Sequence, residues 1–334
     1  MSLKKNSISF YIGMGVSLSF ILYAVTKMDL QKALNVIWSV NPLWLIPIFA
    51  MQVLTFYFRA LRWRCILEPL KRIKITSLMS ALYIGVMGNM VFPMRIGEIM
   101  RAYLISKKER ISVSGTFATI MLERCFDFLA MFVILILVLV FANPVSISGD
   151  IWRDLKFAGA FVVSGLIISF TIFYMMAGGD NILNRVLYWL LGLLPQKATD
   201  KLTGIFESFR NGFQALNKGG HVLAIFLYNA GVWVCITTVY CLFLPMFGMD
   251  WSLEISSVMT LFVIFGVMVP SSPGWIGPYH AAVIFALSLY GVDSGKALGM
   301  AVLIHLTGFT FTVIIGIICL YREKVSLREI GHSA

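Results

Sequence analysis

Charge is scarce in this sequence. Aspartate, glutamate, lysine and arginine together make up 13% of the 334 residues, whereas 59% are hydrophobic. Soluble domains usually carry about a quarter charged residues. The shortage of charge excludes a water-soluble globular protein and a disordered chain, and it indicates a protein that crosses a membrane several times.

Residues that usually build metal, disulfide or nucleotide sites are also few. The four histidines and five cysteines are scattered, and they form no CxxC pair, zinc spacing or HExxH motif. The phosphate-binding pattern GxxxxGK[ST] is absent as well. We therefore predict no cofactor and no metal site, and we expect a transporter-like protein rather than an enzyme.

The apolar residues are grouped into long stretches. Crossing a bilayer takes about 20 residues, and six stretches are long enough: 8–26, 42–58, 113–142, 157–177, 221–247 and 297–321. Two further apolar stretches, 75–106 and 255–292, are interrupted by glycine and proline. Because non-helical backbone is not tolerated in contact with lipid, we predict an all-α polytopic membrane protein with six transmembrane spans and two re-entrant helical hairpins.

The net charge of +11 comes from 27 lysines and arginines against 16 acidic residues. If the N-terminus is cytoplasmic and each hairpin returns to its starting side, most of the basic residues fall in cytoplasmic segments. This distribution follows the positive-inside rule. It predicts cytoplasmic N- and C-termini, and it explains the excess of basic over acidic residues without a nucleic-acid partner.

Two segments, 42–142 and 221–321, show one pattern in opposite orientation: a span, an interrupted hairpin and a span. Their breaks share the motif GVM followed by PxxIG. Inverted repeats with broken helices are typical of secondary transporters. We predict one transmembrane domain, 1–334, whose remaining parts are a first span with an outer interfacial helix (1–41), a fourth span with cytoplasmic amphipathic helices (143–220) and a cytoplasmic tail (322–334).

The first hairpin carries charged residues near its predicted tip, after Asn89. A helix that begins at Pro93 places Arg95, Glu98 and Arg101 on one stripe. Each ionisable group in a membrane costs at least about 2.5–3.5 kcal/mol, so such residues usually have a function. A helix N-terminus also attracts anions. We predict an anion site here; the alternative is an ion pair that only locks the hairpin.

The second hairpin offers hydroxyl and backbone N–H donors at its break. The candidate residues are Ser271, Ser272, Gly274, Gly277 and His280. If this tip faces the first one, an anionic group can be held from both sides of the membrane. The alternative is a tight turn that needs glycine for close packing. His280 either titrates, donates to a phosphate or is a packed hydrogen-bonding residue.

Two more clusters belong to the candidate site. Glu123 and Asp127 share a helix face, and Arg124 reaches Asp127 three residues along. This cluster either joins the substrate site or is a structural salt bridge. The second cluster consists of Arg59, Arg62 and Trp63, at the end of span two. At the predicted inner interface, these residues either contact lipid head groups or anchor the helix.

These motifs together resemble a known family. They are RxxRW (Arg59 to Trp63), NxxFPxRxGExxR (Asn89 to Arg101), ERxxD (Glu123 to Asp127) and PxxPGxIG (Pro270 to Gly277). In this order they resemble the flippase-like membrane domain of bacterial lysylphosphatidylglycerol synthases and its stand-alone relatives. Relatives tend to have a carboxylate where this chain has His280. The synthase's aminoacyl-transferring domain is absent, so we expect no lysyl transfer.

The resemblance implies a lipid flippase or transporter in a bacterial or archaeal cytoplasmic membrane. Its substrate would be a phospholipid, an aminoacyl-phosphatidylglycerol or a polyprenyl-phosphate-linked sugar, with Arg95 on the phosphate. The resemblance leaves open whether a lipid-synthesising enzyme is a second partner, and it leaves the oligomeric state open. Two alternatives remain: a membrane enzyme that modifies a lipid-linked phosphate, and a non-catalytic partner of a cell-envelope enzyme.

Overall fold

The computed structural model describes residues 29–92, 96–142, 221–268 and 272–323, together with a few isolated positions elsewhere. Within these ranges the chain is helical and contains no strand, which confirms the all-α class. The predicted spans at 8–26 and 157–177 and the amphipathic segments within 143–220 lie outside the described ranges.

Nine α-helices make up the described ranges, and they are named α1 to α9 in chain order. They are α1 (Leu30–Ser39), α2 (Leu45–Leu67), α3 (Ile75–Val91), α4 (Gly97–Glu109), α5 (Val113–Phe141), α6 (Val222–Met246), α7 (Leu253–Met268), α8 (Pro278–Ser288) and α9 (Ser294–Glu323). Short 3-10 turns precede α2, at Pro42–Trp44, and α8, at Pro273–Trp275.

Four of these helices are long and apolar enough to cross a membrane. They are α2 with its preceding turn (Pro42–Leu67), α5, α6 and α9, and they coincide with four of the six predicted spans. The apolar helices α3 and α7 are shorter, with 17 and 16 residues. The protein is therefore a multi-pass membrane protein.

The short helices pack as two pairs, α3 with α4 and α7 with α8. In the first pair, a Cβ on Gly85 would lie 2.9 Å from the Gly97 carbonyl oxygen. In the second, a Cβ on Gly266 would lie 2.8 Å from the Pro278 carbonyl oxygen. Small residues let helix backbones approach closely inside membranes. Each pair therefore depends on a glycine at the equivalent place, the first residue of its GVM motif.

The molecule has two ends, which lie at the two ends of the 30-residue helix α9, about 45 Å apart. Ion pairs and hydrogen bonds join the helices at each end. At the C-terminal end of α9, Lys108 lies 2.8 Å from Glu323. At its N-terminal end, Lys32 lies 2.9 Å from Asp293, and the Tyr290 hydroxyl donates to Glu254 at 2.9 Å. The α3–α4 pair therefore opens toward the first end, and the α7–α8 pair opens toward the second.

The breaks of the two pairs meet between these ends. Gly274, in the turn before α8, has a φ of 75°, and a Cβ on it would lie 3.6 Å from the carbonyl oxygen of Met90 in α3. Apolar clusters surround this meeting point: one joins α6, α7, α8 and α9 through residues such as Phe243 and Met259, and another joins α2, α3 and α4 around Trp63. The fold thus brings both sequence motifs to one central region.

Candidate functional site

A cavity of about 400 Å³ occupies this central region. One part of its wall, the charged end, consists of Arg59, Arg62, Glu98, Arg101, Glu123, Arg124 and Asp127. Another part, the histidine end, is formed by Tyr240, Tyr279 and His305 with His280 behind them. Apolar side chains such as Phe128, Met131 and Ile236 complete the wall.

Glu123 on α5 is the centre of the charged end. Its side chain has no solvent exposure, and it accepts hydrogen bonds from two arginines of other helices. Arg62 on α2 donates to it at 3.5 Å, and Arg101 on α4 donates to its other oxygen. Because a buried charge is tolerated only when it is paired, this carboxylate fixes three helices to one another.

Arg62 makes two further contacts. Its guanidinium donates to Asp127 at 2.5 Å and to the side-chain oxygen of Asn229 on α6. The amide nitrogen of Asn229 donates in turn to the Phe126 carbonyl oxygen at 2.9 Å. Arg62 therefore joins α2 to both α5 and α6.

The sequence places Arg62 and Trp63 at the inner membrane interface, and the structure buries both side chains inside the protein. Helix α2 continues to Leu67, well past the predicted end at residue 58, and both side chains are buried. The indole N–H of Trp63 donates to Thr119 at 3.0 Å, and the Arg101 guanidinium lies over its ring at 3.8 Å. Burial is possible because the charge of Arg62 is neutralised by Glu123 and Asp127.

The predicted pairs within single helices are present. Arg124 lies 3.3 Å from Asp127, and Arg101 lies 3.9 Å from Glu98. Glu98 also accepts a hydrogen bond of 3.4 Å from the amide of Asn89, which joins the two helices of the first pair. Arg95 lies outside the described residues.

The charged end carries an excess of positive charge. Four arginines line it against three carboxylates. The buried Nε atoms of Arg62, Arg101 and Arg124 have no hydrogen-bond partner. Arg59 forms no ion pair in the described structure; it lies 5.7 Å from the Phe56 ring. An anionic oxygen in this part of the cavity would supply the missing charge.

The second motif forms a sharp turn next to α3. Gly274 and Gly277 have positive φ angles of 75° and 100°, which glycine adopts without the steric cost of a side chain. Ser272 begins the turn, and its hydroxyl lies 3.4 Å from the Pro273 carbonyl oxygen. Helix α8 starts at Pro278. Ser271 lies outside the described residues.

At the histidine end, two imidazole rings share a hydrogen bond. His280 Nε2 and His305 Nδ1 are 3.3 Å apart, and His280 Nδ1 accepts from the Gly277 N–H at 3.4 Å. The ring of Tyr279 stacks on His305 with centroids 4.6 Å apart. The hydroxyls of Tyr279 and Tyr240 are 3.4 Å apart.

Sequence reasoning missed Asn229, His305 and Tyr240. A signal existed for two of them: Asn229 is the single amide side chain of α6, and His305 is the single charged or histidine residue between Lys296 and Tyr321. Lone polar residues in apolar spans usually face the protein interior. In the described part of the chain, no three histidine, cysteine or acidic side chains come close enough to hold a metal ion.

Comparison with known proteins places this architecture. The chain is 25% identical over 325 residues to "Glycosyltransferase AglD" of Haloferax volcanii, covering 90% of this chain and 52% of that protein. It is 27% identical over 249 residues to "UPF0104 membrane protein MJ1078" of Methanocaldococcus jannaschii, covering 72% and 96%. A second protein of that organism, "UPF0104 membrane protein MJ1595", is 25% identical over 340 residues, covering 92% and 93%.

The chain thus spans about half the length of the glycosyltransferase, and nearly the whole length of the two UPF0104 proteins. No solved structure matches it. The family model described as "Lysylphosphatidylglycerol synthase TM region" matches residues 10–316. This match covers most of the chain, so the protein belongs to the family of the lysylphosphatidylglycerol synthase TM region.

Proposed function

We propose that the protein moves a lipid with a phosphate-containing head group between the two leaflets of the membrane. The observation that carries this proposal is the charged end, where arginines outnumber carboxylates. Ionisable residues at membrane depth are costly, and an excess of one sign is explained by a ligand of the opposite sign.

A phosphate fits this surface by geometry as well as charge. Arginine donates in a planar fork that matches phosphate oxygens. Arg59 forms no ion pair with any described residue, and Arg124 retains 39% side-chain exposure beside its partner Asp127. Glu98 orients the first pair through Asn89. The apolar wall formed by residues such as Phe128 and Met131 suits the start of the acyl chains.

The α3–α4 and α7–α8 pairs are the two re-entrant hairpins of this proposal, within six transmembrane spans. Their opposite openings and the equivalent contacts of Gly85 and Gly266 support an inverted repeat. Transporters of that design expose a central site alternately by rocking one repeat against the other. The lipid head group would be bound where the two breaks meet, and it would be released toward either leaflet.

The charge at the two ends supports a cytoplasmic position for the first end. Basic residues predominate there, among them Lys71, Lys107, Lys108 and Arg110, whereas acidic residues such as Asp250 and Glu254 mark the second end. Lysine and arginine favour the cytoplasmic side. The C-terminal end of α9 would then face the cytoplasm of a bacterial or archaeal cell.

The cavity supports transport rather than chemical modification of the lipid. Glu123 and Asp127 are each occupied by arginine, so two of the three acidic groups in the cavity wall are already paired. The glycosyltransferase name belongs to a relative of which this chain covers about half. A lipid-linked sugar nevertheless belongs among the substrates to be tested, together with phospholipids and aminoacyl-phosphatidylglycerol.

Reconstitution into liposomes tests the proposal. The purified protein is incorporated with fluorescent phosphatidylglycerol, a fluorescent polyprenyl-phosphate sugar or a phosphate-free galactolipid, and translocation is followed by quenching of the outer leaflet. We expect one or both phosphate lipids to cross faster than in protein-free vesicles, unchanged in mass, while the galactolipid does not. Loss of selectivity for phosphate, chemical alteration of the lipid, or no translocation of either phosphate lipid would contradict the proposal.

A further inference from the structure

The histidine end has a property that the charged end lacks: its two imidazole rings can each gain a proton and become charged. His280 and His305 lie on different helices, α8 and α9, and their rings contact each other directly. His305 lines the cavity, whereas His280 is buried behind it. This pair adjoins the turn that contains Gly274 and Gly277.

In the neutral pair, the hydrogen bonds determine which nitrogen of each ring carries the proton. A backbone N–H only donates, so Nδ1 of His280 accepts from Gly277 and its Nε2 carries the proton. That proton is donated to Nδ1 of His305, which leaves the second proton of the pair on His305 Nε2. Both acceptor nitrogens of the neutral pair are therefore already in use.

An added proton must consequently break one of these two bonds. A proton on His280 Nδ1 replaces the bond from Gly277, and a proton on His305 Nδ1 replaces the bond between the rings. Either change loosens α8 from the turn before it or from α9. The same turn contacts Met90 of the first pair, so a proton bound here acts on the place where the two breaks meet.

The described groups around the pair are aromatic or uncharged. The titratable groups in contact with the pair are Tyr279 on α8 and, through it, Tyr240 on α6. From α9 the nearest ring is Phe309, and α3 contributes the uncharged Met90 beside the turn.

We propose that the His280–His305 pair is a proton-binding site that couples lipid translocation to the transmembrane proton gradient. This inference rests on the proposed lipid transport. In the coupled cycle, water on one side supplies a proton to the pair, the bond at Gly277 or between the rings is lost, and the two breaks separate. The proton then returns to water on the other side, and a fixed number of lipid molecules crosses for each proton.

The test measures the final distribution of a lipid rather than its rate. Proteoliposomes containing fluorescent phosphatidylglycerol or the fluorescent polyprenyl-phosphate sugar receive a gradient of about one pH unit, with the membrane potential held at zero by potassium and valinomycin. One coupled proton shifts the equilibrium ratio between leaflets by about tenfold. Without coupling, the ratio equals that of vesicles without a gradient.

The variants are His305→Gln and His280→Gln, which keep hydrogen-bonding capacity without titrating. We expect both to translocate lipid but to lose the shift. The matched control is His221→Gln, which removes a histidine 2.9 Å from Glu68 at the far end of the molecule, and it should keep the full shift. A wild-type protein that equilibrates the lipid rapidly with no shift would overturn the coupling but not the transport.

If no lipid moves at any pH, the transport proposal fails, and a second measurement decides whether the proton site exists. Nitrogen-15 spectra of histidine-labelled protein in nanodiscs report the protonation of each ring directly. We expect the signals assigned through the His280→Gln and His305→Gln variants to titrate jointly, so that removing one changes the other. Independent titration of the two rings, or none above about pH 4, would contradict a shared proton site.

Discussion

The charged end and the histidine end of the cavity keep polar groups at membrane depth in two different ways. At the charged end the groups form ion pairs, and Glu123 and Asp127 each bond to arginine. At the histidine end, two rings and two tyrosines bond to one another without a formal charge. The difference separates a region of ion pairs, where we propose that an anion binds, from a region of neutral hydrogen bonds, where we propose that a proton binds.

Removing Glu123 should have the largest effect, because two buried arginines lose their carboxylate. We expect Glu123→Gln to lower the free energy of unfolding by about 3–5 kcal/mol. Glu98→Gln removes only a 3.9 Å contact with Arg101, and should cost much less. Thermal unfolding in detergent measures both.

A rescue variant separates pairing from packing at this position. Replacing both partners, Glu123→Leu together with Arg101→Met, removes the unpaired charge and should restore part of the lost stability. Equal stability of Glu123→Gln and the wild type, or a double variant less stable than Glu123→Gln, would show that this pairing does not hold the charged end together.

The position of the charged end depends on close packing of α3 and α4. A Cβ on Gly97 would overlap the Gly85 carbonyl oxygen, so Gly97→Ala should cost at least about 1–3 kcal/mol of stability. Gly308 on α9 also lines the cavity, but a Cβ there would meet no atom within 4 Å. Gly308→Ala is therefore the matched control, with unchanged unfolding temperature. An equal response of both variants would contradict the close approach of the helices.

The histidine end should tolerate substitution better, because its bonds join neutral groups. A neutral hydrogen bond contributes about 0.5–1.5 kcal/mol, and we expect His305→Gln to destabilise the protein by no more than this. The measurement is the same thermal unfolding series. A loss as large as that of Glu123→Gln would remove the distinction between the two ends.

The smallest effect is expected outside the cavity, at Asp293. The hydrogen bond from Lys32, with those from the backbone N–H groups of Lys296 and Gly295, lowers the pKa of this carboxyl. Its contribution to stability is therefore present above the unfolded pKa of about 3.9 and is lost as the pH falls through the folded value. Asp293→Asn should lower the unfolding temperature slightly at neutral pH, and the difference should disappear in acid.

The sequence predicted contacts within helices better than contacts between them. Arg124 and Asp127, or Glu98 and Arg101, meet because three residues nearly complete a helical turn, whatever the remaining fold. Arg62 meets Asn229 across 167 positions of the chain, and no local pattern reveals that pairing. The same limit applies to His280 and His305, which only the packing of α8 on α9 brings together.

The burial of Arg62 on α2 has a physical reason as well. Arg59, Arg62 and Arg64 would ordinarily mark the end of a membrane segment, because unpaired arginine is excluded from lipid. Here Glu123, Asp127 and Asn229 supply partners for Arg62, so the helix continues to Leu67 with the charge inside. The partners of a charge, which the local sequence does not show, decide whether it is buried.

Arg59 and Arg64 offer the most direct test of phosphate binding at the charged end. Both lie on α2, but only Arg59 lines the cavity, and it forms no ion pair in the described structure. The measurement is translocation of a fluorescent phosphate lipid in liposomes, with unfolding temperature as the check on folding. We predict that Arg59→Ala slows translocation about 10-fold or more, as expected for losing a charged hydrogen bond, at unchanged stability, while Arg64→Ala does not. Equal rates for Arg59→Ala and the wild type would contradict phosphate binding at the charged end.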